Sequence, residues 1–201
     1  MTQLSPNRVL VLGRPRHVLQ DVMEQLTASG VSVQGSTDAQ YAADLFDARD
    51  FDVISFGGAV SGSLNEQLRR EFARQNPRVQ FVDALAPIAA RQIVLALKGG
   101  SRQWHYLARS RVVEDGLDYL LKAIIIKPCA VRIEVCRSFD APPPSVEVVD
   151  QSDAVAGFFE RRIDARYREH GQILLLTLNE DEYCLHRMQP LLAADEDAPS
   201  E

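Results

Sequence analysis

The sequence is short of most features that would assign a function outright. Its three cysteines, Cys129, Cys136 and Cys184, are an odd number, so a disulfide scaffold is not expected. No C-x-x-C pair anchors a zinc site, although Cys184-x-His186 would share one face of a strand. No apolar run approaches the ~20 residues of a membrane helix. The longest, "YLLKAIII", is interrupted by Lys122. The N-terminal "MTQLSPNRVLVLG" has no basic segment leading a long apolar stretch, so no signal peptide is read and the cytoplasm is the expected compartment. Basic charge is also in deficit. With 22 Lys and Arg against 28 Asp and Glu, the net charge is −6, which argues against general nucleic-acid binding. Part of the acid sits in the terminal "AADEDAPSE", so a local basic patch stays open. No G-x-S-x-G elbow is present, and His105 and His170 fall in linker and turn positions, so serine hydrolysis has no signature.

What is present is the composition of a globular protein, 46% hydrophobic and 25% charged. "RVLVLG", "VSVQGS", "FDVISFG" and "VQFVDA" read as strands, three of them nearly continuous apolar runs that suit a parallel sheet covered on both faces. Helical stripes separate them. Val18, Val22 and Leu26 are followed by Gly30 as a stop, and Ala42, Leu45 and Phe46 form a second stripe. "SLNE" has capping-box form with Ser63 as N-cap, ahead of Leu64, Leu68 and Phe72, and Pro87 opens a fourth helix carrying Ile93, Val94 and Leu97. The β-α alternation predicts a four-stranded parallel sheet.

After Gly99-Gly100 the period changes. "GLDYLLKAIII", "AVRIEV", "SVEVV", "FFERRIDARY", "QILLLTL" and "EYCLHRM" read as short strands, the last two joined as a hairpin by a polar loop. The triple proline 142–144 reads as a rigid turn. The expected organisation is an α/β domain over 1–98, an antiparallel β-sandwich over 104–190 and an acidic disordered tail over 191–201.

Residues 8–98, through "NRVLVLG", "GVSVQGSTDAQYAADLF" and "FDVISFGG", resemble the receiver domain of bacterial response regulators. The resemblance implies a flavodoxin-like sheet of order 2-1-3-4. In that family an acidic pair after the first strand binds magnesium, a phosphoacceptor aspartate ends the third strand, a Thr or Ser the fourth and a lysine the fifth. Here "GRPRH" (13–17) replaces the acidic pair, Gly57 stands at the phosphoacceptor position, and Ala84, preceded by Asp83, stands near the Thr/Ser position. No fifth strand is evident before the composition changes. The resemblance therefore implies a degenerate, non-catalytic receiver, a regulatory module that docks protein partners and self-associates, with no cofactor.

A second reading stays open. Arg14, Arg16 and His17 precede a helix whose N-terminus favours anions, and Gly57-Gly58 would let backbone approach a ligand. With Asp83 these residues are the candidate anion or phosphate site of a Rossmann-like sensor or enzyme, the ligand then being a nucleotide or NADP. Against a dinucleotide, "LGRPRH" holds one glycine of the G-x-G-x-x-G fingerprint and no acid ends the second strand. The stretch 158–170, with four arginines among aromatics, is read as a sheet strand with a charged outer face, ahead of a partner-binding strand or a nucleic-acid surface.

Overall fold

The apolar runs of the N-terminal half pair into one parallel sheet. In a computed structural model of the chain, which describes residues 7–60, 62–98, 105–136, 146–167 and 172–188, the strands are β1 (Arg8–Leu12), β2 (Ser32–Ser36), β3 (Val53–Gly57) and β4 (Gln80–Ala84). Their order is β2-β1-β3-β4 and every pair is parallel. The helices are α1 (Arg16–Ala28), the single turn α2 (Ala42–Leu45), α3 (Gly62–Gln75) and α4 (Ala89–Leu97). The chain divides into two compact units, 1–101 and 102–201.

Both faces of the sheet are covered because its central strands are apolar at nearly every position between Arg8 and Gly57, Ser55 being the buried polar exception. Val9, Val11, Val53 and Val82 pack against Leu19, Val22 and Leu26 of α1 and Ile93 of α4. Leu10, Leu12, Ile54 and Phe56 pack the other way, against Leu68 and Phe72 of α3. On α1 the buried stripe is Leu19, Val22 and Leu26, with Val18 only half-buried, so the stripe is centred one residue later than the sequence suggests. Gly30, at φ +78°, ends that helix in a Schellman motif. Its N–H meets the Thr27 carbonyl at 2.9 Å, and the Val31 N–H meets that of Leu26 at 3.1 Å.

Two expected helix starts are corrected. Helix α3 begins at Gly62, which places Ser63 inside its first turn rather than at its cap. Pro87 belongs to a 3₁₀ turn, Ala86–Ile88, that precedes α4, because its fixed φ suits the tighter turn as well as a helix start. In the second stripe Ala42 is buried, whereas Leu45 is exposed.

The second unit is antiparallel. Its strands among the described residues are β5 (Leu107–Asp115), β6 (Asp118–Ile125), β7 (Cys129–Cys136), β8 (Val146–Ala154), β9 (Gly157–Ile163), β10 (Ile173–Leu178) and β11 (Glu182–Arg187). Two sheets, β5-β6-β9 and β11-β10-β7-β8, face one core. Leu121, Ile125 and Ile163 of the first sheet meet Val131, Ile133, Leu174 and Leu176 of the second. Strand β5 is absent from the sequence reading. Its one fully buried residue is Leu107 at its head; beyond it half-buried Ser110 and Val112 alternate with exposed Arg109 and Arg111, so no long apolar run marks it. The segment "FFERRIDARY" is a strand only to Ile163, and 165–167 turn as a 3₁₀ helix. The triple proline, His170 and the acidic tail lie outside the described residues. Among the described residues no helix is long and apolar enough to cross a membrane.

Turn chemistry fixes both close hairpins. Gly116, at φ +62°, is the first of two loop residues between β5 and β6. Asn179 and Glu180, at φ 48° and 58°, carry the β10–β11 turn, closed by the Asp181 N–H on the Leu178 carbonyl at 3.1 Å. Where β11 begins, Glu182 is 4% exposed. Its carboxylate accepts the backbone N–H groups of His105, Tyr106 and Leu107 at 2.7, 3.0 and 3.0 Å.

Removing that carboxylate leaves three donors unpaired at the head of β5. Glu182→Ala is expected to lower the stability of the second unit by about 3 kcal/mol or more. Glu182→Gln, which keeps one acceptor oxygen, should cost less. Urea unfolding followed by circular dichroism measures both, and an unchanged midpoint for Glu182→Ala would refute the anchoring role.

Candidate functional site

The carboxyl ends of β1 and β3 open toward α1. Gly13 and Gly57 bring their backbones together there: a Cβ added to Gly57 would sit 3.4 Å from the Gly13 Cα and 3.5 Å from the Leu12 carbonyl. Those are ordinary contacts, so a small side chain at Gly57 would fit, and at Gly58 nothing lies within 4 Å. Ala84 is the registered partner of Gly57 on β4. Val11, Arg14, Leu19, Gly57, Gly58 and Ala84 are among the residues lining a cleft of about 50 Å³, and none of its lining residues is acidic.

The candidate residues are not all brought together. Arg14 lines the cleft and its Nε donates to the Thr37 carbonyl at 2.8 Å. Arg16 and His17 are exposed in the first turn of α1 and do not line it. That turn holds no acidic residue and its N-cap, Pro15, makes no side-chain cap. Two basic residues therefore stand at the end of the helix that favours anions. Asp83 lies on the other side of the sheet, where Arg69 Nη2 and Asn65 Nδ2 of α3 donate to it at 2.7 and 2.9 Å. The guanidinium of Arg69 also lies 5.2 Å from the ring centroids of both Phe56 and Phe81. The alternation of β4 explains the separation, since Ala84 and Asp83 are consecutive and must face apart.

The second unit holds a larger cleft, of about 170 Å³, on the outer face of β5-β6-β9. Arg109 and Arg111 line it, and both lie on the strand that the sequence reading passed over. The dipeptide Asp115-Gly116 between "RVVE" and "YLLKAII" was the available signal, as a hairpin turn flanked by strand-forming residues.

Ser110 and His186 form the closest approach to a catalytic pair, with Oγ 2.9 Å from Nε2. Among the described residues no carboxylate bonds the other ring nitrogen, so nothing orients the imidazole as a general base would require. Burial holds the His186 ring below its ordinary pKa, which keeps it neutral. Burial likewise pushes the Cys129 thiol up, away from the reactive thiolate. Cys184 and His186 do share a face of β11, but among the described residues no three His, Cys, Asp or Glu side chains converge. No protein-family model matches this sequence, and no curated protein matches it.

A histidine whose folded pKa is depressed binds its proton more readily when the chain unfolds. Stability is therefore full above the unfolded value of about 6.5 and declines as pH falls through it. Urea midpoints compared at neutral and mildly acidic pH should fall on acidification, and by less in His186→Gln. Equal pH slopes in the two proteins would rule out His186 as the source.

Proposed function

We propose that the N-terminal unit is a receiver-like domain without a phosphoacceptor, and that the protein is a non-catalytic regulatory module acting by docking. The observation that carries this reading is the cleft at the carboxyl ends of β1 and β3, lined by Gly57, Ala84 and Arg14 and by no carboxylate. Aspartyl phosphorylation needs a carboxylate nucleophile and a divalent cation to offset the phosphoryl charge. Glycine offers no nucleophile, and a guanidinium beside it repels the cation. Space is not the obstacle, because a Cβ at Gly57 meets only ordinary contacts.

Docking is supported by the surface beside α2, where Tyr41 and Leu45 are 52% and 65% exposed. Four residues apart on consecutive turns, they present apolar area that a second copy of the chain would cover. The rival reading, a nucleotide or NADP in the Arg14 cleft, has less support on size. The cleft holds about 50 Å³, against ~300 Å³ or more for pockets that enclose small-molecule ligands.

Incubation with acetyl phosphate and magnesium, read by intact-protein mass spectrometry, should leave the protein unmodified. A phosphoryl adduct on Asp52 or Asp83 would overturn the reading. Sedimentation of the wild type should show a dimer, and Tyr41→Ser with Leu45→Ser should shift it to monomer with its circular-dichroism spectrum unchanged. A wild type that is monomeric at every concentration would remove self-association from the proposal.

A further inference from the structure

The outer face of β5-β6-β9 combines concavity, positive charge and an exposed ring. Register places Arg109 beside Ile124 and Ile124 beside Phe158, with Arg111, Lys122 and Glu160 in the next outward row. Arg109, Arg111, Lys122, Ile124 and Phe158 line the cleft of about 170 Å³. The two arginines are exposed, and neither has a protein partner among the described residues. Glu160 is the carboxylate of that row, 3.6 Å from Lys122 Nζ. At the far end of the face Asp115 and Asp118 share the guanidinium of Arg162 at 2.8 and 3.0 Å, which offsets one of their two charges, so the basic excess is confined to the cleft end. A net positive patch thus stands on a chain whose overall charge is −6.

Phe158 decides the ligand class. It is 64% exposed at the rim of the cleft, although a phenyl ring is normally withdrawn from water. Guanidinium forks pair bidentately with phosphate oxygens, and a free aromatic face stacks on a planar base. We propose that this cleft binds a nucleotide, its phosphate held by Arg109 and Arg111 and its base stacked on Phe158. The cavity is smaller than the ~300 Å³ that would enclose a small-molecule ligand. The phosphate end therefore enters the cleft while the base lies over the exposed ring. The strongly acidic chain repels a long polyanion, which favours a free nucleotide over a nucleic-acid strand. Every residue of this site belongs to the second unit.

Isothermal titration of the full chain with AMP, GMP, ATP, GTP, inorganic phosphate and a short single-stranded oligonucleotide tests it. At least one nucleotide should bind saturably and more tightly than inorganic phosphate. Phe158→Ala should weaken that nucleotide about tenfold while leaving phosphate binding unchanged. Arg109→Ala with Arg111→Ala should abolish both. All three side chains are exposed, so unchanged thermal midpoints will show that the variants fold. Absence of saturable nucleotide binding, or binding that survives the arginine substitutions, overturns the proposal. Phosphate binding as tight as the nucleotide overturns the role of Phe158, and markedly tighter binding of the oligonucleotide overturns the assignment to a free nucleotide.

Discussion

Consecutive side chains of a strand point to opposite sides of its sheet, and both units depend on that constraint for what their surfaces can do. In β3 it sends Val53, Ser55 and Gly57 one way and Ile54 and Phe56 the other, so each helical layer has its own core. The same rule separates Asp83 from the cleft at Gly57 although the two strands are neighbours. In β5 it has the opposite effect. Arg109 and Arg111, two apart, emerge on one side beside Lys122, and an unremarkable alternation becomes a basic surface.

The two units differ in how legible this was. A parallel sheet buried on both faces needs unbroken apolar runs, and such runs survive in the sequence as "VLVL" and "VISF". Strand positions could therefore be anticipated, while the order β2-β1-β3-β4 was the one the receiver resemblance implied. Strand β5 was harder to see, because beyond Leu107 its inward positions are Ser110 and Val112, and the Asp115-Gly116 turn alone marks its hairpin with β6. Helix starts were blurred for a related reason. Ser63 and Pro87 are both compatible with several turns of backbone, and packing chose among them.

The candidate site was only partly readable. The absence of an acid at the end of β3 is a property of composition and needs no coordinates. Which groups share a cleft is a property of faces and distance. Arg14 is drawn to the Thr37 carbonyl, Arg16 and His17 project from the helix start into solvent, and Asp83 is occupied by Arg69. Residues adjacent in the chain were thereby dispersed. At Ser110 and His186, residues 76 apart in sequence, the reverse happened, and no linear motif announced their meeting.

The carboxylate of Glu182 gathers the N–H groups that lead into β5, across 75 to 77 residues of chain. The second unit is thus fastened at its beginning by a residue near its end. On a ribosome, which releases the chain in order, β5 and β6 can pair as a local hairpin long before β11 emerges. Its opening residues, however, have no acceptor until the final strand is out. Closure of this unit is consequently a late event of synthesis, and a chain interrupted anywhere before Glu182 would leave the head of β5 without its anchor.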